Sequence, residues 1–421
     1  MSGLAWRAVW GALVCGAMIH AGGLEAAPSV ERTPDGEALL YTKLTEEKAQ
    51  QGQDYALIHY IHAGWLMPPD MSPAEKAAMQ QVLSTGKAEA NDAALISALS
   101  QCQPAFQEFR AGTELGGCHD GDKGGPHNPP GHNPPGHNPP GPPGHHPGDH
   151  VPSPCFPTLF SVPKALCAEG LILEAQGKYG DALNTYVDVL QFSRDVGNSL
   201  PNATMFPVAL TAGQLGANRI RKLTAKGKLS AEELAIASRE IRRSLAENAT
   251  PRLILDEETT VALATAQKAK ADVTAQKALE SHDLQAQYFE TPYTGRDRDG
   301  HAKAMKALTP KTGGVPDMTQ IETRHLVMVS VMRQALAAAA VEQYKLARGT
   351  YPASLKDSGA TATTDPFGTG EFRYILNADR SGYEIYSVGP DGTDQSGEVM
   401  YDPAAGVTSA GDIVTTSPEW K

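Results

Sequence analysis

Histidine is the residue most densely placed for chemistry in this chain. His119, His127, His132, His137, His145, His146 and His150 lie in or beside segment 116–157, where Gly-His-Asn-Pro-Pro repeats at Gly131 and Gly136 and a near copy starts at Pro126. Imidazole suits Ni²⁺, Cu²⁺ and Zn²⁺. The tract is therefore a candidate transition-metal binder, with His127, His132, His137, His145, His146 and His150 as donors. Its repeat works against a fixed site. In a polyproline helix, histidines five apart are separated by roughly 15 Å and point in different directions. A Pro/Gly tract so poor in apolar side chains cannot offset the entropy of ordering, so the segment is expected to be disordered or polyproline-like. The competing reading is a low-complexity expansion in a tolerant loop. His59 and His62 share one face of an apolar helix, as a metal pair or as a partly buried helix contact. The chain has no Gly-x-Ser-x-Gly elbow, His-Glu-x-x-His helix, phosphate-binding Gly-rich loop or Gly-x-Gly-x-x-Gly turn. An enzyme, such as a hydrolase, would need a site assembled from scattered residues of the helical body, with His59 or His62 among them.

Carboxylates are the second chemical resource. Gly389-Pro390-Asp391-Gly392 opens an acidic, Gly-rich tail. Such a loop offers the hard oxygen ligands that Ca²⁺ takes in sets of six to eight. Ahead of it, Phe372, Tyr374 and Leu376 alternate with Arg373 and Ile375, and Tyr383, Ile385 and Ser387 alternate with Glu384, Tyr386 and Val388. These period-2 runs, joined by the polar loop Asn377–Gly382, predict an antiparallel hairpin. Asp365-Pro366-Phe367-Gly368 has turn chemistry, with proline pre-setting φ and glycine tolerating positive φ. A long apolar helix precedes it, with Leu326, Val329, Met332, Leu336, Ala339 and Gln343 at helical spacing and Gly349 as the C-cap.

Four pieces in this order carry a family likeness. They are Gln343-Tyr344-Lys345 through Gly349-Thr350-Tyr351-Pro352, Asp365-Pro366-Phe367-Gly368, Tyr383 through Gly392, and Gly411-Asp412-Ile413. Together they resemble the periplasmic domain of the major pseudopilin of type II secretion. The resemblance covers roughly the last quarter of the chain. It implies a long helix on a small sheet, with a calcium ion held in the loop after the hairpin. By position, Asp391 and Asp412 are the implied ligands, and Asp394, Glu398 and Asp402 are further carboxylates of that loop. The chain departs from the family in an additional Met400–Ala410 segment. It also lacks a short basic leader cut before Phe with Glu at the fifth mature position. Polymerisation as a pseudopilin is therefore not expected.

The remaining composition bounds location and partners. A net charge of −12 without a Lys/Arg cluster argues against nucleic acid and anionic membrane surfaces. Residues 1–27 read as a secretory signal, with Arg7, the apolar run Ala8–Ala21 and small residues at Ala26 and Ala27. A periplasmic or extracellular protein follows. In that compartment Cys102, Cys118, Cys155 and Cys167 are expected to form disulfides. Cys118 with Cys155 would close the base of the His-rich tract; pairing with Cys102 and Cys167 would tie the flanking helices together.

The elements that must position these residues are mainly helices. Ser72-Pro73-Ala74-Glu75 and Ser230-Ala231-Glu232-Glu233 are helix starts. One helix is predicted over Ala93–Phe109. Lys164–Val196 reads as a helical hairpin turning at Gly177, similar to one tetratricopeptide-type unit. A single long helix is predicted over Leu253–Gln287, and a polar linker over Thr291–Pro316. The expected class is mainly α with a C-terminal α+β domain: an irregular helical bundle plus a long helix packed on a small antiparallel sheet. The expected organisation is a signal (1–27), an N-terminal helical region (28–115), the His/Pro/Gly-rich insertion (116–157), a helical body (158–290), a linker (291–317) and the pseudopilin-like domain (318–421). The leading expectation is an exported, non-enzymatic interaction protein associated with envelope or secretion components. The alternative is a periplasmic transition-metal binder using the His-rich tract.

Overall fold

The structure is a computed structural model that describes residues 56–115, 159–199, 201–308, 314–403 and 405–418. The expected signal at residues 1–27, the His-rich tract with its six candidate donors, Cys118 and Cys155 lie outside the described residues. The expected class holds: the described chain is mainly helical, with one three-stranded antiparallel sheet near its C-terminus.

The first helices are α1 (Ala56–Trp65), α2 (Pro73–Thr85), α3 (Ala93–Gln101) and α4 (Gln103–Glu114). Helix α2 starts with a complete capping box. Ser72 Oγ accepts from Glu75 N–H at 3.3 Å, and the Glu75 carboxylate accepts from Ser72 N–H at 2.7 Å. The single helix expected over Ala93–Phe109 is broken at Cys102. Pro104 has no N–H to continue the ladder but suits the first turn of a new helix.

The expected hairpin is α5 (Ser161–Ala175) and α6 (Tyr179–Ser199). Gly170 sits at their crossing, where a Cβ would lie 2.2 Å from the Tyr186 ring. Helix α7 (Phe206–Ala225) packs on α6 through Gly213 and Gly216, and α8 (Ala231–Glu247) follows a second capping box. The long helix predicted over Leu253–Gln287 is two helices, α9 (Pro251–Lys268) and α10 (Asp272–Glu290), folded against each other. Lys270 makes the reversal at φ 52°. No Gly or Pro marks that turn, so propensity alone reads straight through it. The predicted linker is also structured. It holds a 3₁₀ turn at Tyr293–Gly295 and helix α11 (Arg298–Leu308).

Helix α12 (Thr319–Arg348) ends at Gly349, which is left-handed at φ 76°. It is long and apolar enough to cross a membrane by composition, but 72% of its apolar window is buried inside the protein. The sheet is β1 (Arg373–Leu376), β2 (Tyr383–Ser387) and β3 (Ile413–Thr416), in the order β1-β2-β3. The predicted hairpin pairs Tyr374 with Ile385, and Tyr386 pairs onward with Val414. The sequence reading left this third strand as tail.

Helix α12 is buried on two sides. Val327, Met328, Val331, Met332 and Ala335 join the core shared with α7 and α8. Ala337, Ala338 and Val341 form a second cluster with Tyr351, Phe372, Tyr383 and Ile385 of the sheet side. Polar bonds fix this junction. The buried Arg221 guanidinium on α7 donates to Gln334 Oε1 at 2.7 Å and to Thr415 Oγ1 at 2.8 Å, and Gln334 Nε2 donates to the Ile413 carbonyl at 2.8 Å. Arg296 donates to both oxygens of the buried Glu322 carboxylate at 2.5 and 2.9 Å, tying the segment before α11 to α12.

Candidate functional site

The strands bring the family-like motifs together around two buried aspartates. Asp365, in the Asp-Pro-Phe-Gly turn, is saturated. Its Oδ1 accepts from Phe367 N–H at 3.0 Å and Ser387 Oγ–H at 2.7 Å, and its Oδ2 accepts from Val388 N–H at 3.0 Å. This carboxylate staples the turn to the end of β2. Tyr293 wedges in beside it. Its ring meets Phe367 edge-on at 4.7 Å, and its hydroxyl donates to the Pro390 carbonyl at 2.7 Å. The supposed linker therefore holds both turn motifs in place.

Asp412 is buried to 0% exposure and only half saturated. Its Oδ2 accepts from Gly397 N–H at 2.7 Å and Gln395 N–H at 3.2 Å, while Oδ1 has no partner. Burial raises its carboxyl above the usual range, and the negative charges of Asp394 and Asp391 add to that; the two amide bonds oppose it. Gln395 is linked to both aspartates, because its N–H donates to Asp412 and its Nε2 donates to Asp391 Oδ2 at 2.7 Å; its own Oε1 is buried without a partner. Asp391 also accepts from Thr393 N–H at 3.1 Å and Gly411 N–H at 3.3 Å. A buried polar atom without a partner costs about 1–3 kcal/mol. Unpartnered acceptor oxygens on Asp412 and on Gln395, whose own main-chain N–H bonds Asp412, are what a hard cation would satisfy.

The other expected ligands lie differently. Asp394 is turned to the sheet surface, where it pairs with Arg373 Nε at 3.1 Å and accepts from Tyr386 Oη–H at 3.1 Å. The Ser396 N–H bond to it is the main cause that lowers its carboxyl. Glu398 and Asp402 have exposed side chains. Among the described residues, no group of three or more His, Cys, Asp or Glu side chains is gathered as a metal site. Any cation here would rest on Asp391, Asp412, the Gln395 amide oxygen and main-chain carbonyls. Calcium accepts that donor chemistry. Gln395 carries no charge to mark it in the sequence, although its amide oxygen lies in the same acidic loop.

The Met400–Ala410 segment docks onto the helical body. Tyr401 N–H donates to the Asp412 carbonyl at 2.8 Å, and its side chain is hydrogen-bonded to Gln214 of α7, close to Arg324 of α12. Glycine permits the loop's crossing. A Cβ on Gly389 would lie 2.2 Å from the Gly411 carbonyl, and one on Gly411, at φ 126°, 2.7 Å from the Met400 backbone.

The histidine and cysteine expectations fare unevenly. His59 and His62 both reach Glu108 Oε1 on α4, at 2.8 and 3.0 Å, as a partly buried helix contact. His282 lies between Asp256 and Asp283, and His301 stacks on Tyr288 at 4.0 Å. Burial pushes His325 down to about 4. Cys102 and Cys167 are free and buried, so neither ties the flanking helices together as the disulfide expectation allowed. Burial pushes both thiols up to about 12, which leaves them poor nucleophiles.

No protein-family model matches the chain, and no curated protein or solved structure is detectably similar to it.

Proposed function

We propose that this is an exported, non-enzymatic protein whose C-terminal sheet carries a calcium site, and whose helical body offers surface to envelope or secretion components. The observation that carries the calcium reading is the pair of buried, unpartnered oxygens, Asp412 Oδ1 and Gln395 Oε1, beside Asp391. A bound Ca²⁺ would supply positive charge to buried oxygens that no protein donor satisfies. The export reading rests on the signal-like N-terminus and the partner reading on the helical hairpin, with the ordered pseudopilin-like motifs supporting both.

Differential scanning calorimetry in EDTA and with added Ca²⁺ tests the site. Calcium at a hundredfold excess over Kd stabilises by about 2.7 kcal/mol, which raises the melting temperature by about 3–4 °C in a chain of this size. An unchanged melting temperature at millimolar calcium removes the reading. Capture of a defined envelope or secretion component by the full chain, lost on competition with untagged protein, tests the partner.

A further inference from the structure

The two aspartate ligands proposed for the acidic loop each sit one residue from an anchoring bond outside the loop. Asp391 follows Pro390, whose carbonyl accepts from Tyr293 Oη–H at 2.7 Å. Asp412 precedes Ile413, whose carbonyl accepts from Gln334 Nε2 at 2.8 Å. The Asp412 carbonyl itself accepts at 2.8 Å from the N–H of Tyr401, whose side chain rests against α7 and α12. The three anchors leave the body from different places: the 3₁₀ turn before α11, the middle of α12, and the α7–α12 face.

We propose that occupancy of the acidic loop by Ca²⁺ acts as a clamp that seats the sheet on the helical body, through Tyr293, Gln334 and Tyr401. This rests on the calcium reading above. Asp391 and Asp412 are joined through Gln395, whose Nε2 donates to Asp391 Oδ2 at 2.7 Å and whose N–H donates to Asp412 Oδ2 at 3.2 Å, so with no cation bound two carboxylates crowd one short stretch of loop. The strain of separating them has little slack to absorb it, because Gly389 and Gly411 are already in backbone contact. Movement of Asp391 or Asp412 therefore pulls on the Pro390 and Ile413 carbonyls and so on the anchors. A cation drawing Asp391 and Asp412 together shortens that path and holds the anchors in register. Linkage is reciprocal: whatever tightens the anchors also tightens cation binding.

Two measurements on the full chain separate this inference from the reading beneath it. Titration calorimetry with Ca²⁺, with Mg²⁺ as the control, reports binding. Hydrogen–deuterium exchange in EDTA and in saturating Ca²⁺ reports where protection appears. The expected result is slower exchange in residues 389–412 and also in residues 291–297 and in α12 around Gln334. Tyr293→Phe and, independently, Gln334→Met each remove one anchor bond, and each should weaken calcium binding by about three- to tenfold. Circular dichroism confirms that each variant is folded. Wild-type binding with protection confined to the loop, or variants that bind calcium as tightly as wild type, overturns the clamp and leaves the calcium site standing. Absence of any calcium heat overturns both.

Discussion

Asp365, in the turn before β1, and Asp412, immediately before β3, are both buried, at 4% and 0% exposure, yet their oxygens are satisfied to different degrees. Asp365 has both oxygens occupied by donors from its own turn and the end of β2. Asp412 spends one oxygen on two backbone amides and leaves the other bare, and Gln395, one of the two amide donors, carries a second bare oxygen. A saturated carboxylate is a structural staple, because any newcomer must displace a bond. A half-saturated one leaves an oxygen to which a newcomer can bind without displacing a bond, which is where the proposed cation would sit. Two carboxylates of the same C-terminal motif set thus differ in what a newcomer would have to displace, and the proposed calcium site stands on that difference.

The largest expected effect falls on the saturated partner. Asp365→Ala strands the Val388 and Phe367 N–H groups and the Ser387 hydroxyl in the interior, and should cost about 3–5 kcal/mol in urea unfolding, with or without calcium. A loss below about 1 kcal/mol would erase the distinction. Asp412→Asn should behave inversely. Its stability in EDTA should match wild type or exceed it, because an uncompensated buried charge is gone. Its calcium-dependent gain of about 2.7 kcal/mol should vanish. Gln395→Leu should retain calcium binding but weaken it by about tenfold, roughly 1.4 kcal/mol, in titration calorimetry. An unchanged Kd would exclude its amide oxygen as a ligand.

The smallest effect comes from a third carboxylate, in the helical body. Asp195 is saturated like Asp365, accepting from Tyr60 Oη–H at 2.5 Å and from Gln191 Nε2 at 2.7 Å, yet burial still raises its carboxyl above the ordinary value. The folded state then holds the proton to higher pH than the unfolded chain does. Between those two pKa values the folded state binds more protons, so its stability falls as pH rises through that window. Asp195→Asn should flatten that slope in unfolding curves taken from the ordinary carboxylate range upward. A slope unaltered by the substitution would show that hydrogen bonding fully offsets burial there.

Local rules made much of the architecture legible. Ser72, Glu75, Ser230 and Glu233 marked helix starts because a capping box closes within four residues, and both formed. Alternation marked β1 and β2, since the side-chain period reports the pleat directly. The reversal at Lys270 and the break before Pro104 were misread, because periodic apolar spacing continues across both. Within the site, the sequence pointed to Asp391 and Asp412 but ranked Asp394, Glu398 and Asp402 beside them. Only three-dimensional placement separated a buried, half-bonded oxygen from one already paired with Arg373 or facing solvent.

The amino-acid order by itself determined the helix-rich class, the capped starts, the hairpin and the acidic loop, because each depends on neighbours a few positions away. Tertiary structure alone decided that α12 is the shared spine of body and sheet, that Tyr293 leaves its supposed linker to brace two distant turns, and which loop oxygens remain bare. Those outcomes are set by burial and by partners dozens of residues away. Desolvation and bond saturation belong to the packed interior, and no local spacing encodes them.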